Sequence, residues 1–306
     1  MESAKLIIFQ IGVMFILIAF GAGVYKFGII SKRANKQLSN FVVSVVSPVL
    51  IFTAYQKEFD TALLKGLLIS FLIAAVSHML LILSGKICVR TKNNSDYNIE
   101  RFAIAYSNCG FMGIPLIESI YGSDGVLYLT AYITMFNIFM WTHGVSCMKK
   151  SSDFKALAKA LLSPAIIATV VGLIMFVCRI ALPGIILQPM RYIASLNTPL
   201  AMIVSGITFA QSDLKGALAK PRIYLVSVLK LLIVPVIVML IFKPFGFSDA
   251  VLNTSVIATA CPTAASTIMF SYKYGGNAVY ASEIFALTTL MSAITLPLVL
   301  IISNFV

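Results

Sequence analysis

The sequence predicts an all-α membrane protein, ten transmembrane helices forming two inverted five-helix repeats. Three observations carry this. Of the 306 residues 59% are apolar and only 11% charged, with a mean hydropathy of +0.97, whereas soluble domains carry about 25% charged residues. The apolar runs between basic clusters are ~18–24 residues long, which suits spanning helices rather than barrel strands. Proline-bearing motifs recur half a chain apart. The net charge of +12 is read by its position relative to the spans, not as a nucleic-acid footprint. Neither a nucleic-acid partner nor a soluble domain is expected.

The predicted spans are 5–24, 38–54, 62–85, 102–121, 125–147, 161–181, 190–211, 222–242, 250–270 and 279–302. The run Leu6–Gly23 is too long for a cleaved signal and follows a weakly charged start, so it is read as the first span. Sixteen of the 23 basic residues fall in one set of loops, among them Lys32, Arg33, Lys36, Arg90, Arg101, Lys150 and Arg222. The opposite side holds Lys5, Lys57, Lys65, Arg179, Arg191 and Lys243, with Lys230 left inside a span. The basic side is therefore cytoplasmic and both termini are extracytoplasmic. The cysteines Cys88, Cys109, Cys147, Cys178 and Cys261 form no CxxC, so no disulfide framework, metal site or cofactor is expected.

The basic segment 149–160 divides residues 1–148 from residues 161–306, with five spans on each side. An odd number of spans makes any similarity between the halves one of inverted topology. Span 2 carries Ser47-Pro48-Val49-Leu50 and span 7 carries Thr198-Pro199-Leu200. Span 4 carries Asn108-Cys109-Gly110-Phe111-Met112-Gly113-Ile114-Pro115, and span 9 carries Thr259-Ala260-Cys261-Pro262-Thr263. Interruptions paired in this way mark broken helices around a transport site. Proline is favoured at a helix start, so half-helices are expected to restart at Pro115 and Pro262. Their free N–H groups would converge mid-membrane and attract an anion, each end contributing about 0.3–1 kcal/mol. That strength suits a carrier, which must release what it binds.

Neutral polar groups surround this volume. Asn108 stands where span 4 unwinds, and its amide can donate to a carboxylate. Ser255, Thr259, Thr263, Ser266 and Thr267 form a stripe in span 9, and Thr130, Thr134, Asn137 and Trp141 another in span 5. Either stripe serves the site or bonds helix to helix in lipid. Lys230 lies about 12 Å into span 8 at ~1.5 Å per residue and is expected to face a wet cavity or a partner. His78 and His143 are read as hydrogen-bonded structural histidines. Glu118, one turn beyond Pro115, and Glu283, near the inner start of span 10, are candidates for proton coupling.

The stretch Asn108–Gly122 resembles the fourth-helix signature of the auxin efflux carrier family, best at Met-Gly-Ile-Pro-Leu and Tyr-Gly. Pro262 through Phe270, Tyr274, Ser282 and Thr295-Leu296-Pro297 is similar to the family's ninth and tenth helices. The resemblance implies a carrier of carboxylate anions, not an enzyme, in which helices 4 and 9 cross at their prolines. Helices 1, 2, 6 and 7, with breaks at Pro48 and Pro199, would form a dimerising scaffold, and the other six helices would move. It places Asn108, Pro115 and Pro262 at the substrate site, with Cys109, Gly110, Gly113, Asn137, Cys261 and Thr263 around them. The central loop, far shorter than in the long plant forms, points to a prokaryotic, inner-membrane member and away from auxin itself. A bile-acid-type sodium symporter of similar architecture would need oxygens caging a cation, and the interior acids are few. An intramembrane hydrolase using His78 or His143 finds no GxSxG or HExxH. A channel or receptor is the remaining alternative.

Overall fold

The computed structural model describes residues 2–89, 96–149 and 161–305. The predicted connecting loop 149–160 therefore lies outside the described residues, apart from Lys149. Among the described residues all regular structure is helical: α1 (Glu2–Lys26), α2 (Lys32–Ala54), α3 (Thr61–Cys88), α4 (Tyr97–Ala105), α5 (Cys109–Met148), α6 (Pro164–Val177), α7 (Gly184–Ala210), α8 (Leu214–Leu218), α9 (Pro221–Phe245), α10 (Asp249–Ala260), α11 (Ser266–Lys273) and α12 (Ala278–Phe305). Side-chain caps begin several of them, as at Asp60, which accepts from the Ala62 N–H at 2.7 Å.

Seven of these helices, α1, α2, α3, α5, α7, α9 and α12, are long and apolar enough to cross a membrane. Each predicted span overlaps helical backbone, and the difference in count has a physical origin. Spans 4 and 9 are each divided by a non-helical stretch, and α6 is apolar but only 14 residues long. The end of span 4 and all of span 5 share α5, a 40-residue element bent at Gly122. There φ is 59° and ψ −149°, a conformation open essentially to glycine alone.

Polarity is distributed as lipid demands. Ile16, Phe20, Leu72, Met79, Ile174 and Ile294 face outward, while Ser70, Ser77, Thr254, Thr259 and Thr288 are fully buried. A surface this apolar is foreign to soluble monomers. Helix α1 packs on α7 at backbone distance: a Cβ on Gly206 would overlap the Ile18 carbonyl, and one on Gly21 the Ile203 carbonyl. Helix α2 packs on α6, where Gly172 makes room for the Tyr55 ring. Helix α3 contacts α4, α9 and α10, and α9 contacts α10 and α4. Under the predicted half-to-half correspondence each of these pairings maps onto one in the set, α3–α9 onto itself.

The prolines act differently from expectation. At Pro48 the helix is not broken. The turn Val42–Val46 widens instead, with Ser47 N–H donating to Val42 O, and this wider register absorbs a residue that lacks an N–H. In α7 the interruption falls at Leu196, between Gly184–Ser195 and Asn197–Ala210, and Pro199 sits in the first turn after it. Ser47 Oγ donates to Asn197 Oδ1 at 2.7 Å, so the two proline motifs meet.

Candidate functional site

The central feature is the meeting of two non-helical stretches, 106–108 between α4 and α5, and 261–265 between α10 and α11. Neither restart falls on a proline. Helix α5 begins at Cys109 with a widened turn, Cys109–Gly113, which accommodates Pro115 just beyond it. Helix α11 begins at Ser266, after Pro262. A residue preceding proline is pushed out of the helical region, and Cys261 adopts φ −57°, ψ 147°. Pro262 therefore ends α10 instead of starting its successor.

The two stretches run antiparallel, bridged at Ser107 and Thr263. Asn108 N–H donates to Pro262 O at 2.7 Å, and Ala264 N–H to Tyr106 O at 2.9 Å. Each stretch also caps the helix of the other. Ser107 Oγ donates to Thr259 O near the end of α10 at 3.3 Å, and Thr263 Oγ1 to Ala103 O near the end of α4 at 3.1 Å. Thr263 N–H donates to Thr288 Oγ1 of α12 at 3.2 Å. Backbone freed from a helix inside a membrane must find partners of this kind.

The amino ends of α5 and α11 both issue from this pairing, and neither carries a side-chain cap. Asn108 occupies the cap position of α5, where an asparagine ordinarily accepts from the helix N–H groups. Instead its side chain leaves them open. It is 6% exposed, and its Nδ2 has no hydrogen-bond partner. Ser255, Ser266 and Thr267 also hold buried hydroxyls without partners.

Lys230, in a widened turn of α9, is fully buried. Its ammonium donates to Ser107 Oγ and, at 3.2 Å, to Thr259 O. Cys109 and Cys261 are buried free thiols that close around Gly113, where a Cβ would stand 3.5 Å from Cys261 Sγ. Gly110, by contrast, has open space beside it.

Most of the other sequence-derived candidates are engaged by partners of their own. In the span-5 stripe Thr130, Thr134 and Asn137 bond back to their own helix, Asn137 Nδ2 to Ile133 O at 2.8 Å, and Trp141 packs on Phe270. His78 Nδ1 lies 2.8 Å from Ala74 O, and its ring stacks on Phe139. His143 Nδ1 meets the Tyr106 hydroxyl at 3.0 Å, tying α5 to the first break. Glu283 pairs with Lys220 at 2.5 Å, and Glu118 is half-buried on α5. Among the described residues no group of three or more His, Cys, Asp or Glu is placed to hold a metal ion.

Sequence reasoning missed a buried cluster beside the site. Glu100 on α4 receives two bonds of 2.6 Å from Arg222 of α9 and one of 2.8 Å from the Tyr280 hydroxyl of α12. It also missed Ser107 and Thr288. Adjacency to Asn108 was the available signal for Ser107. Nothing in the spacing of Glu100 and Arg222 announces their pairing.

Comparison with known proteins identifies the family. The family model described as "Membrane transport protein" matches residues 6–155 and 151–300. An uncharacterized transporter of Methanothermobacter thermautotrophicus is 24% identical over 290 residues, covering 92% of this chain and 94% of its own. A transporter of Methanocaldococcus jannaschii is 22% identical, covering 90% and 92%. A provisionally named malonate transporter of Rhizobium meliloti is 25% identical, covering 84% and 83%. With the family model matching across the chain and the span-4 motif intact, this multi-pass membrane protein belongs to the membrane transport protein family, the auxin efflux carrier type.

Proposed function

We propose that the protein carries small carboxylate anions across the bacterial inner membrane by alternating access, holding the anion where the two helix breaks meet. The observation that carries this is the Asn108 amide, a buried donor without a partner at the uncapped amino end of α5. Uncapped helix amino ends favour anions, and an amide adds the directional bond that a diffuse helix dipole lacks. The name of the Rhizobium relative makes malonate the first ligand to try.

The architecture is ten spans in two inverted repeats, with helices α4–α5 and α10–α11 crossing at their breaks. Four features support it: the helix pairings that interchange with the halves, the antiparallel run of the breaks, their reciprocal caps, and the meeting of Ser47 with Asn197. Helices α1, α2, α6 and α7 form the scaffold and dimer contact. The remaining helices move against it, and the basic loops are cytoplasmic.

The test is thermal unfolding of the purified protein with malonate, malate, acetate or chloride at equal ionic strength, followed by labelled uptake into proteoliposomes. A carboxylate is expected to raise the midpoint saturably and to be taken up. A flat response across a broad carboxylate panel would defeat the reading.

A further inference from the structure

Secondary carriers coordinate driving cations with unwound backbone carbonyls and the carboxyl ends of half-helices. In this chain that ligand set is already occupied. Thr259 O lies at the carboxyl end of α10, where the helix dipole is negative, and Ser107 Oγ lies on the opposing break. Both accept from the Lys230 ammonium. This cation is fully buried and makes no ion pair among the described residues, so its charge is met by neutral oxygens, as a coordinated metal ion's would be. The corresponding carbonyl of the other half, Ala103 O, is met by the Thr263 hydroxyl. The two halves thus differ at the breaks by a lysine amine on one side and a hydroxyl on the other.

We propose that the Lys230 ammonium is a tethered cation standing where a cation-coupled carrier would bind its metal ion, so that transport proceeds without sodium. The transport part rests on the carrier reading above. The tethered charge itself does not, because it can be measured with no anion present.

The experiment is thermal unfolding of the purified full chain in detergent, in sodium, potassium, choline or methylammonium chloride at equal ionic strength. It compares the natural protein with Lys230→Ala and Lys230→Met. The natural protein is expected to show one midpoint in all four salts. Lys230→Ala is expected to fall by about 5 °C in choline and to regain at least half of that in methylammonium or sodium, which fit the vacated space. Lys230→Met fills that space with apolar atoms and is expected to fall without rescue. Malonate uptake by the natural protein is expected to be the same with and without a sodium gradient. Stabilisation or stimulation of the natural protein by sodium would overturn the proposal. So would a Lys230→Ala midpoint that equals the natural one or ignores both small cations. Should Lys230→Ala fail to accumulate, the natural protein's response to sodium still decides. Absence of malonate uptake would count against the choice of substrate and leave the unfolding result standing.

Discussion

Replacing Asn108 with alanine separates binding from folding in an unusual direction. Among the described residues, residue 108 is fixed by main-chain hydrogen bonds, from its N–H to Pro262 O at 2.7 Å and from Met112 N–H to its carbonyl at 2.9 Å. Both survive truncation. The side-chain Nδ2 has no partner, so its removal breaks no donated bond. An unsatisfied buried donor costs about 1–3 kcal/mol. Asn108→Ala is therefore expected to leave the ligand-free midpoint unchanged or raise it. A bond to a charged ligand contributes about 1.5–3 kcal/mol, so the same substitution is expected to weaken malonate about ten- to hundredfold. Asn108→Asp places like charge against the ligand and is expected to bind more weakly still, recovering as pH falls and the carboxylate protonates. Malonate titrations followed by thermal unfolding or calorimetry give both quantities from one sample. Natural affinity in Asn108→Ala would show that the anion does not sit at the breaks. A lowered ligand-free midpoint would show that the amide is structural.

Three further outcomes are expected. Glu100→Ala strips the partner from Arg222 and Tyr280; because the guanidinium side chain is 38% exposed, the loss lies near the low end for buried pairs, about 3 kcal/mol, read as a lower midpoint with malonate affinity unchanged. Gly206→Leu drives a side chain into the Ile18 carbonyl and is expected to abolish the monodisperse peak in fluorescence-detected gel filtration, whereas a natural elution profile would mean that α1 and α7 do not need their close approach. Lys57→Ala removes a pair whose partner Asp124 is 54% exposed, so the expected loss of unfolding free energy is below about 1 kcal/mol, and a larger loss would show that the pair is shielded from solvent.

What was legible in the sequence was whatever depends on solvent and on local chain chemistry. The apolar runs give the helices because lipid forces backbone groups to bond within a segment, and the overlap of each predicted span with helical backbone follows from that. The pairing of Asn108 with Pro262 was foreshadowed by two proline motifs at matching positions. The point at which each helix restarts was not. Proline's preference for a first turn argued for Pro115 and Pro262. Yet widened turns absorb Pro48 and Pro115 without a break, and Pro262 acts through the residue before it. Hydroxyl stripes were ambiguous for a physical reason as well. Thr134 and Asn137 spend their bonds on their own helix, while Thr263, a member of the other stripe, spans to a different one. Spacing along one helix cannot distinguish these outcomes. The Glu100, Arg222 and Tyr280 cluster needs three helices brought together by the fold before its chemistry exists.

The sign of the site follows from which polar groups are left over once the backbone is satisfied. Breaking two helices inside a membrane frees carbonyls at the ends of α4 and α10 and N–H groups at the starts of α5 and α11. Four of the carbonyls at the breaks are engaged locally: Ala103 O by Thr263, Thr259 O by Ser107 and Lys230, and Tyr106 O and Pro262 O by the opposing stretch. Pro262 itself contributes no N–H. The amino ends receive no such treatment, since neither has a side-chain cap, and the asparagine in position to cap α5 presents an unused donor. A site where these four carbonyls are engaged and the helix amino ends lack side-chain caps favours an anion over a free metal cation. Filling those acceptors partly with a lysine reinforces the same choice. On the carrier reading proposed above, selectivity for a negatively charged substrate would originate in the unequal capping of the two kinds of helix end, with Asn108 supplying the directed bond.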